Sequence, residues 1–119
     1  MKEVKENIIR LKSFDFALLI IALYKQMQEE KEYVLSKQLL RSGTSIGANI
    51  EEASAAISKK EFIAKMSISA KEARETLYWL KLIEKSQIVR IDVSELLEKS
   101  EELIRILTSI VKTSQSSSQ

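Results

Sequence analysis

The sequence predicts an all-α fold, an antiparallel up-down-up-down left-handed four-helix bundle, and three observations predict it. Proline is absent and glycine occurs twice in 119 residues, so the residues that most often break helices are nearly missing. Apolar residues recur at steps of three and four through several long segments. The connections between those segments are short, which makes sequential helices antiparallel neighbours.

The first helix is expected to start near Ser13, with Asp15 complementing the helix dipole, and to end near Glu29. Residues 1–12 are read as a leader. The FALLIIALY run from Phe16 is apolar on every side, and a helix apolar all round is normally buried all round. In a four-helix monomer each helix has a wet face, so this one needs a second covering, most simply from another subunit.

The second helix is expected from about Tyr33 to Ile57, its core face formed by Leu35, Leu39, Ile46, Ile50, Ala53 and Ile57. Ser58 and Glu61 form a capping box that opens the third helix. Ile63, Met66, Ala70, Ala73, Leu77 and Leu80 then make a heptad-like seam before the helix ends near Lys85. A second box-like start at Asp92 and Glu95 opens the fourth helix, with Leu96, Leu103, Leu107, Ile110 and Val111 inward. The domain is thus 13–112, and the polar tail 113–119 is expected to be disordered.

Composition narrows function by subtraction. Without histidine or cysteine there is no imidazole or thiolate chemistry, no common zinc or haem ligand set and no Glu-x-x-His di-iron pair. No glycine-rich phosphate loop is present, and Glu51 and Glu52, being adjacent, point in different directions. The expectation is no catalysis, no cofactor, no metal and no small-molecule substrate. The longest apolar run, Phe16 to Tyr24, is too short to span a bilayer and nothing resembles a signal peptide, so a cytoplasmic protein without a membrane partner is expected.

The segment from Lys37 to Ser54 departs from plain amphipathicity. Gln38, Ser42, Ser45, Asn49 and Glu52 form one polar ridge beside the apolar stripe. Such a ridge is either a boundary that hydrogen-bonds across the bundle or a subunit contact or ligand surface. Gly43 and Gly47 each cost about 1 kcal/mol relative to alanine in a helix interior. A small-x-x-x-small pair admits a close neighbour, whereas a kink or break at 43–47 is the alternative; a continuous helix is the preferred reading.

The same segment resembles the four-helix-bundle proteins encoded in intervening sequences of bacterial large-subunit ribosomal RNA genes. The resemblance rests on Gln38-x-x-Arg41-x-x-x-Ser45-Ile46-x-x-Asn49-Ile50-x-Glu52, on Ser58-Lys59-Lys60-Glu61-Phe62 and on Glu75, and it extends over about residues 13–112. Two positions depart from the family pattern, which commonly has proline at Gly47 and glycine at Ala53. The resemblance implies a ring-like homopentamer of four-helix subunits; Gln38, Arg41, Ser45, Asn49 and Glu52 are the family signature and are candidate subunit contacts. A related branch, the accessory proteins of diversity-generating retroelements, binds nucleic acid, which implies RNA or DNA as a partner.

Charge distribution bears on that partner. The net charge is only +2, but residues 59–86 hold seven cations against four carboxylates. Lys59, Lys60, Lys65, Lys71 and Arg74, with Lys37 and Arg41 of the second helix, are the candidate nucleic-acid contacts. The competing reading is a solvated face neutralised by Glu61, Glu72, Glu75 and Glu84, and a scaffold or protein-interaction module without nucleic acid remains the alternative function. Tyr78 and Trp79 are read as core or interface packing beside the seam.

Overall fold

A computed structural model describes residues 2–116, and these form four helices: α1 (Lys2–Glu29), α2 (Leu35–Ser54), α3 (Lys59–Ser86) and α4 (Ser94–Ser116). Each helix packs on its two neighbours in a closed square, α1 on α2, α2 on α3, α3 on α4 and α4 on α1, while diagonal helices do not meet. Side-chain bonds fix the directions. Arg10 reaches Glu51 while Gln28 reaches Ser36, so α1 and α2 run oppositely. Lys65 to Glu52 and Thr76 to Ser42 do the same for α3 against α2, as Lys5 to Ser109 and Lys12 to Glu102 do for α4 against α1. The sequence expectation of an antiparallel bundle therefore holds among the described residues.

The core is a single column of Ile9, Phe16, Ile20, Leu23 and Met27 from α1, Leu39, Ile46 and Ile50 from α2, Met66, Ala73, Leu80 and Ile83 from α3, and Leu103, Leu107 and Ile110 from α4. Small hydroxyls sit among them. Ser69 donates to the Ile46 carbonyl at 2.8 Å, and Thr76 donates to Ser42 Oγ at 2.9 Å, so the α2–α3 seam is tied by polar groups too small to hold the backbones apart.

Four element boundaries differ from the sequence expectation. The first helix starts at Lys2, not near Ser13, so residues 2–12 are helix and not a leader. Ser13 is buried mid-helix and its hydroxyl donates back to the Arg10 carbonyl at 3.1 Å, the other use to which a helical serine is put. Ile9, fully buried, anchors this extension to the core. At the other end α4 continues through Ser116 with Ser114 buried, so helix replaces the first part of the expected tail; residues 117–119 lie outside the described residues.

α2 is shorter than expected at both ends. Lys31 takes a left-handed φ of 63°, and the Glu32 carboxylate then accepts from the backbone N–H groups of Val34, Leu35 and Ser36 at 3.1, 3.0 and 2.8 Å. Those donors are the ones a helix start leaves unsatisfied, so Glu32 caps α2 from outside it. Beyond Ser54 the chain turns, and Ile57, assigned to the core face by spacing, is 96% exposed. One half of the capping box is present, with Glu61 N–H donating to Ser58 Oγ at 3.1 Å, while the Glu61 carboxylate accepts from Ile57 N–H at 3.0 Å, one residue before the cap. At the start of α4, Asp92 accepts from Ser94 N–H at 3.0 Å, which holds its carboxyl below the usual range.

α2 is continuous through Gly43 and Gly47. Both glycines face α1 of the same chain, where a Cβ at Gly43 would meet the Ile20 side chain and one at Gly47 would meet Ser13. The close neighbour that the glycine pair admits is therefore α1.

Candidate interaction surfaces

The polar ridge of α2 borders α3. Ser42 is buried under Thr76, and Glu52 accepts from Lys65 at 2.6 Å across the helix pair. Ser45 donates to the Arg41 carbonyl at 2.6 Å and Asn49 to the Ser45 carbonyl at 2.9 Å, both within their own helix. Gln38 is exposed. Part of the ridge thus hydrogen-bonds across the bundle, one of the two roles its spacing allowed.

Arg41 is the hub of a tertiary cluster. Its guanidinium donates to Glu72 at 3.2 Å and to Glu75, and Glu75 also accepts from Trp79 Nε1 at 2.9 Å. The bond to Arg41, joined by that from Trp79, holds the Glu75 carboxyl below the usual carboxylate range, and the bond to Glu75 raises Arg41 in return. Trp79 is half-buried against the core, as expected, but Tyr78 is 57% exposed with its ring edge-on to Trp79 at 5.2 Å.

This cluster redistributes charge on α3. Two of the carboxylates expected to neutralise the cations of this helix are turned towards Arg41, and Glu61 is occupied at the helix cap. Lys65 is bound to Glu52, which raises its pKa. Lys60, Lys71 and Arg74 follow one outward stripe of α3, and among the described residues they have no ion pair; Lys37 on α2 has none either. Lys59 is exposed at the helix start.

Arg74 also lines an open groove of about 940 Å³ between α3 and α4, together with Arg105 and Lys112. Sequence reading missed these two α4 cations. Their signal was available, since no carboxylate occurs from Leu103 to Ser116.

The second surface is apolar. Val4, Ile8, Leu11, Phe14, Leu18 and Ile21 of α1 are 37–70% exposed and lie on the side of the helix opposite Ile9, Phe16, Ile20 and Met27. Asn7, Asp15 and Ala22 share that outer face. The reading of helix one as apolar all round thus has a structural counterpart: one face fills the core and the other is bare in the single chain. Half of the stripe falls in residues 4–11, which sequence reading assigned to a leader.

Among the described residues no helix is long and apolar enough to cross a membrane, and no group of three or more Asp or Glu side chains is arranged to hold a metal ion. Fold and surfaces define a small all-helical bundle with one apolar and one basic face. The chain belongs to the 23S rRNA-intervening sequence protein family, whose model matches residues 5–109. It is also similar, at 48% identity and a TM-score of 0.85, to a protein of unknown function from the S23 ribosomal protein family of Bacteroides thetaiotaomicron, with 91% of this chain and 98% of that one covered. No curated protein matches the chain.

Proposed function

We propose that this protein acts without catalysis, by assembling with copies of itself through the outer face of α1 and presenting basic surfaces of the assembly to RNA or other nucleic acid. The observation that carries the reading is the bare stripe from Val4 to Ile21, which runs roughly 25 Å along the helix at 1.5 Å per residue. Covering a leucine, isoleucine or phenylalanine side chain fully is worth about 1.5–3 kcal/mol, so six partly covered ones supply a driving force that an isolated protomer leaves unused. A second copy is the occupant because a mainly apolar strip, broken by Asn7 and Asp15, is suited to its own kind, and a ring of five is what the family resemblance implies.

The nucleic-acid half rests on Lys60, Lys71 and Arg74, which have no ion pair among the described residues. One protomer's patch is modest, but symmetry repeats it, and several weak contacts on one strand multiply. Labelled RNA titrated at several salt concentrations, with the mass of the complex followed by light scattering, tests both halves. The expected result is an oligomer whose affinity falls as salt rises. An oligomer that binds no RNA even at low salt favours the scaffold reading instead, and a monomer defeats the proposal.

A further inference from the structure

We infer that the α3–α4 groove seats a single strand of nucleic acid, with phosphates held by Arg74, Arg105 and Lys112 and a base stacked on Tyr78. This rests on the proposed nucleic-acid function and assigns it a surface.

The groove has the donor set that a phosphodiester backbone requires. Its lining holds three cations, a row of hydroxyls that includes Thr108, Ser109 and Thr113, and no carboxylate. None of the three cations has an ion pair among the described residues. Arg74 has no carboxylate three or four residues away on α3, and α4 lacks acids beyond Glu102. A fourth cation arrives from α1, where Lys5 donates to Ser109 Oγ at 2.7 Å.

Spacing favours a chain of anions over a single one. Arg105 and Lys112 are two turns apart, roughly 10 Å along the axis, too far to share one phosphate. The groove also has a limit. Beyond Arg105 the adjoining surface on the N-terminal half of α4 carries Glu95, Glu98 and Glu102 against Lys99, with Glu95 paired to Lys99 and Glu102 to Lys12, so it is less favourable to a polyanion than the C-terminal half.

An acidic peptide would satisfy the cations but has no use for Tyr78. That ring stands exposed one turn from Arg74 on the same face of α3 and is braced edge-on by Trp79, which is itself anchored to Glu75. An exposed, braced aromatic beside unpaired cations is the pairing that single strands use, phosphate to cation and base to ring. A rigid duplex does not offer its base faces.

The test uses the intact protein and a fluorescent single-stranded RNA of mixed sequence, with single-stranded DNA, duplex RNA and polyglutamate as competitors. The variant pair Arg105→Gln with Lys112→Gln is compared with Lys31→Gln and Arg90→Gln, which remove equal charge around the turns at the other end of the bundle. The groove pair should lose about tenfold or more in affinity, with the log K versus log salt slope reduced by about 0.7 for each phosphate no longer neutralised, while the control pair stays within about twofold. Tyr78→Ala should lose about fivefold or more on single strands. Both single strands should compete, and duplex and polyglutamate poorly.

Wild-type binding that the groove pair leaves unchanged overturns this assignment and leaves the nucleic-acid reading standing. Polyglutamate or duplex competing as well as single strands overturns the single-strand assignment, as does an unaffected Tyr78→Ala. No binding by the wild type at low salt overturns the reading on which the assignment rests. Matching circular dichroism melts for all variants establish that the differences are not unfolding.

Discussion

A Cβ placed on Gly43 would stand 2.8 Å from Cγ1 and 2.9 Å from Cγ2 of Ile20. Those atoms belong to the branch point of a fully buried side chain and have nowhere to swing. Gly43→Ala should therefore destabilise the bundle by about 1–3 kcal/mol despite the better helix propensity of alanine. At Gly47 the nearest atoms, those of Ser13, are 3.4–3.6 Å away, an ordinary contact, so Gly47→Ala should be neutral or stabilise by up to about 1 kcal/mol. Urea unfolding of the two variants checks the contrast, and equal effects would contradict it.

The buried hydroxyl pair between α2 and α3 should behave as a unit. Thr76→Val leaves Ser42 without its cross-helix partner inside the core and should cost about 1–2 kcal/mol. Adding Ser42→Ala removes the stranded group, and the double variant should be more stable than the sum of the single changes implies. A double-mutant cycle by thermal melting measures this coupling. Strict additivity would mean that the 2.9 Å contact contributes nothing.

Stability should carry an acid-sensitive component from Glu75. Its pKa is lowered in the folded protein, chiefly by Arg41, so its contribution is complete above the ordinary glutamate range and is lost as pH falls from there through the lowered value. Glu75→Gln should cost about 1 kcal/mol at pH 7, and the gap from wild type should narrow as pH falls below the ordinary glutamate range. Arg41→Lys should not substitute, because one ammonium does not reproduce a fork held by two carboxylates. Denaturant melts across that pH range read out both.

What the sequence made legible was what local spacing controls. The Ser58 cap of α3 and the Met66 to Leu80 seam each follow from residues within a few turns of one another, whereas the crowding at Gly43 comes from Ile20 on another helix. The start of α1 was misread because a serine at Ser13 gives the same local signal whether it caps a helix or bonds back to the carbonyl of Arg10. The Glu32 cap was missed because a long carboxylate can reach forward from a turn without any fixed motif. Arg41 looked like a free cation because its acidic partners lie 31 and 34 residues away and meet it only through the α2–α3 packing. The α3–α4 groove depends on which helices adjoin, so Arg105 and Lys112 became visible only with the fold.

Assembly depends on the outer face of α1, and Leu18 is the most useful probe of it. It is 52% exposed in the single chain, so Leu18→Glu leaves a carboxylate that water can reach and should not unfold the protomer. Buried between copies, the same carboxylate would be prohibitively desolvated. Sedimentation velocity of wild type and Leu18→Glu at micromolar concentration, with helicity followed in parallel, should find a wild type of several protomer masses and a folded variant reduced to one. A wild type that sediments as a single protomer, or a folded variant that keeps the wild-type size, would contradict the account.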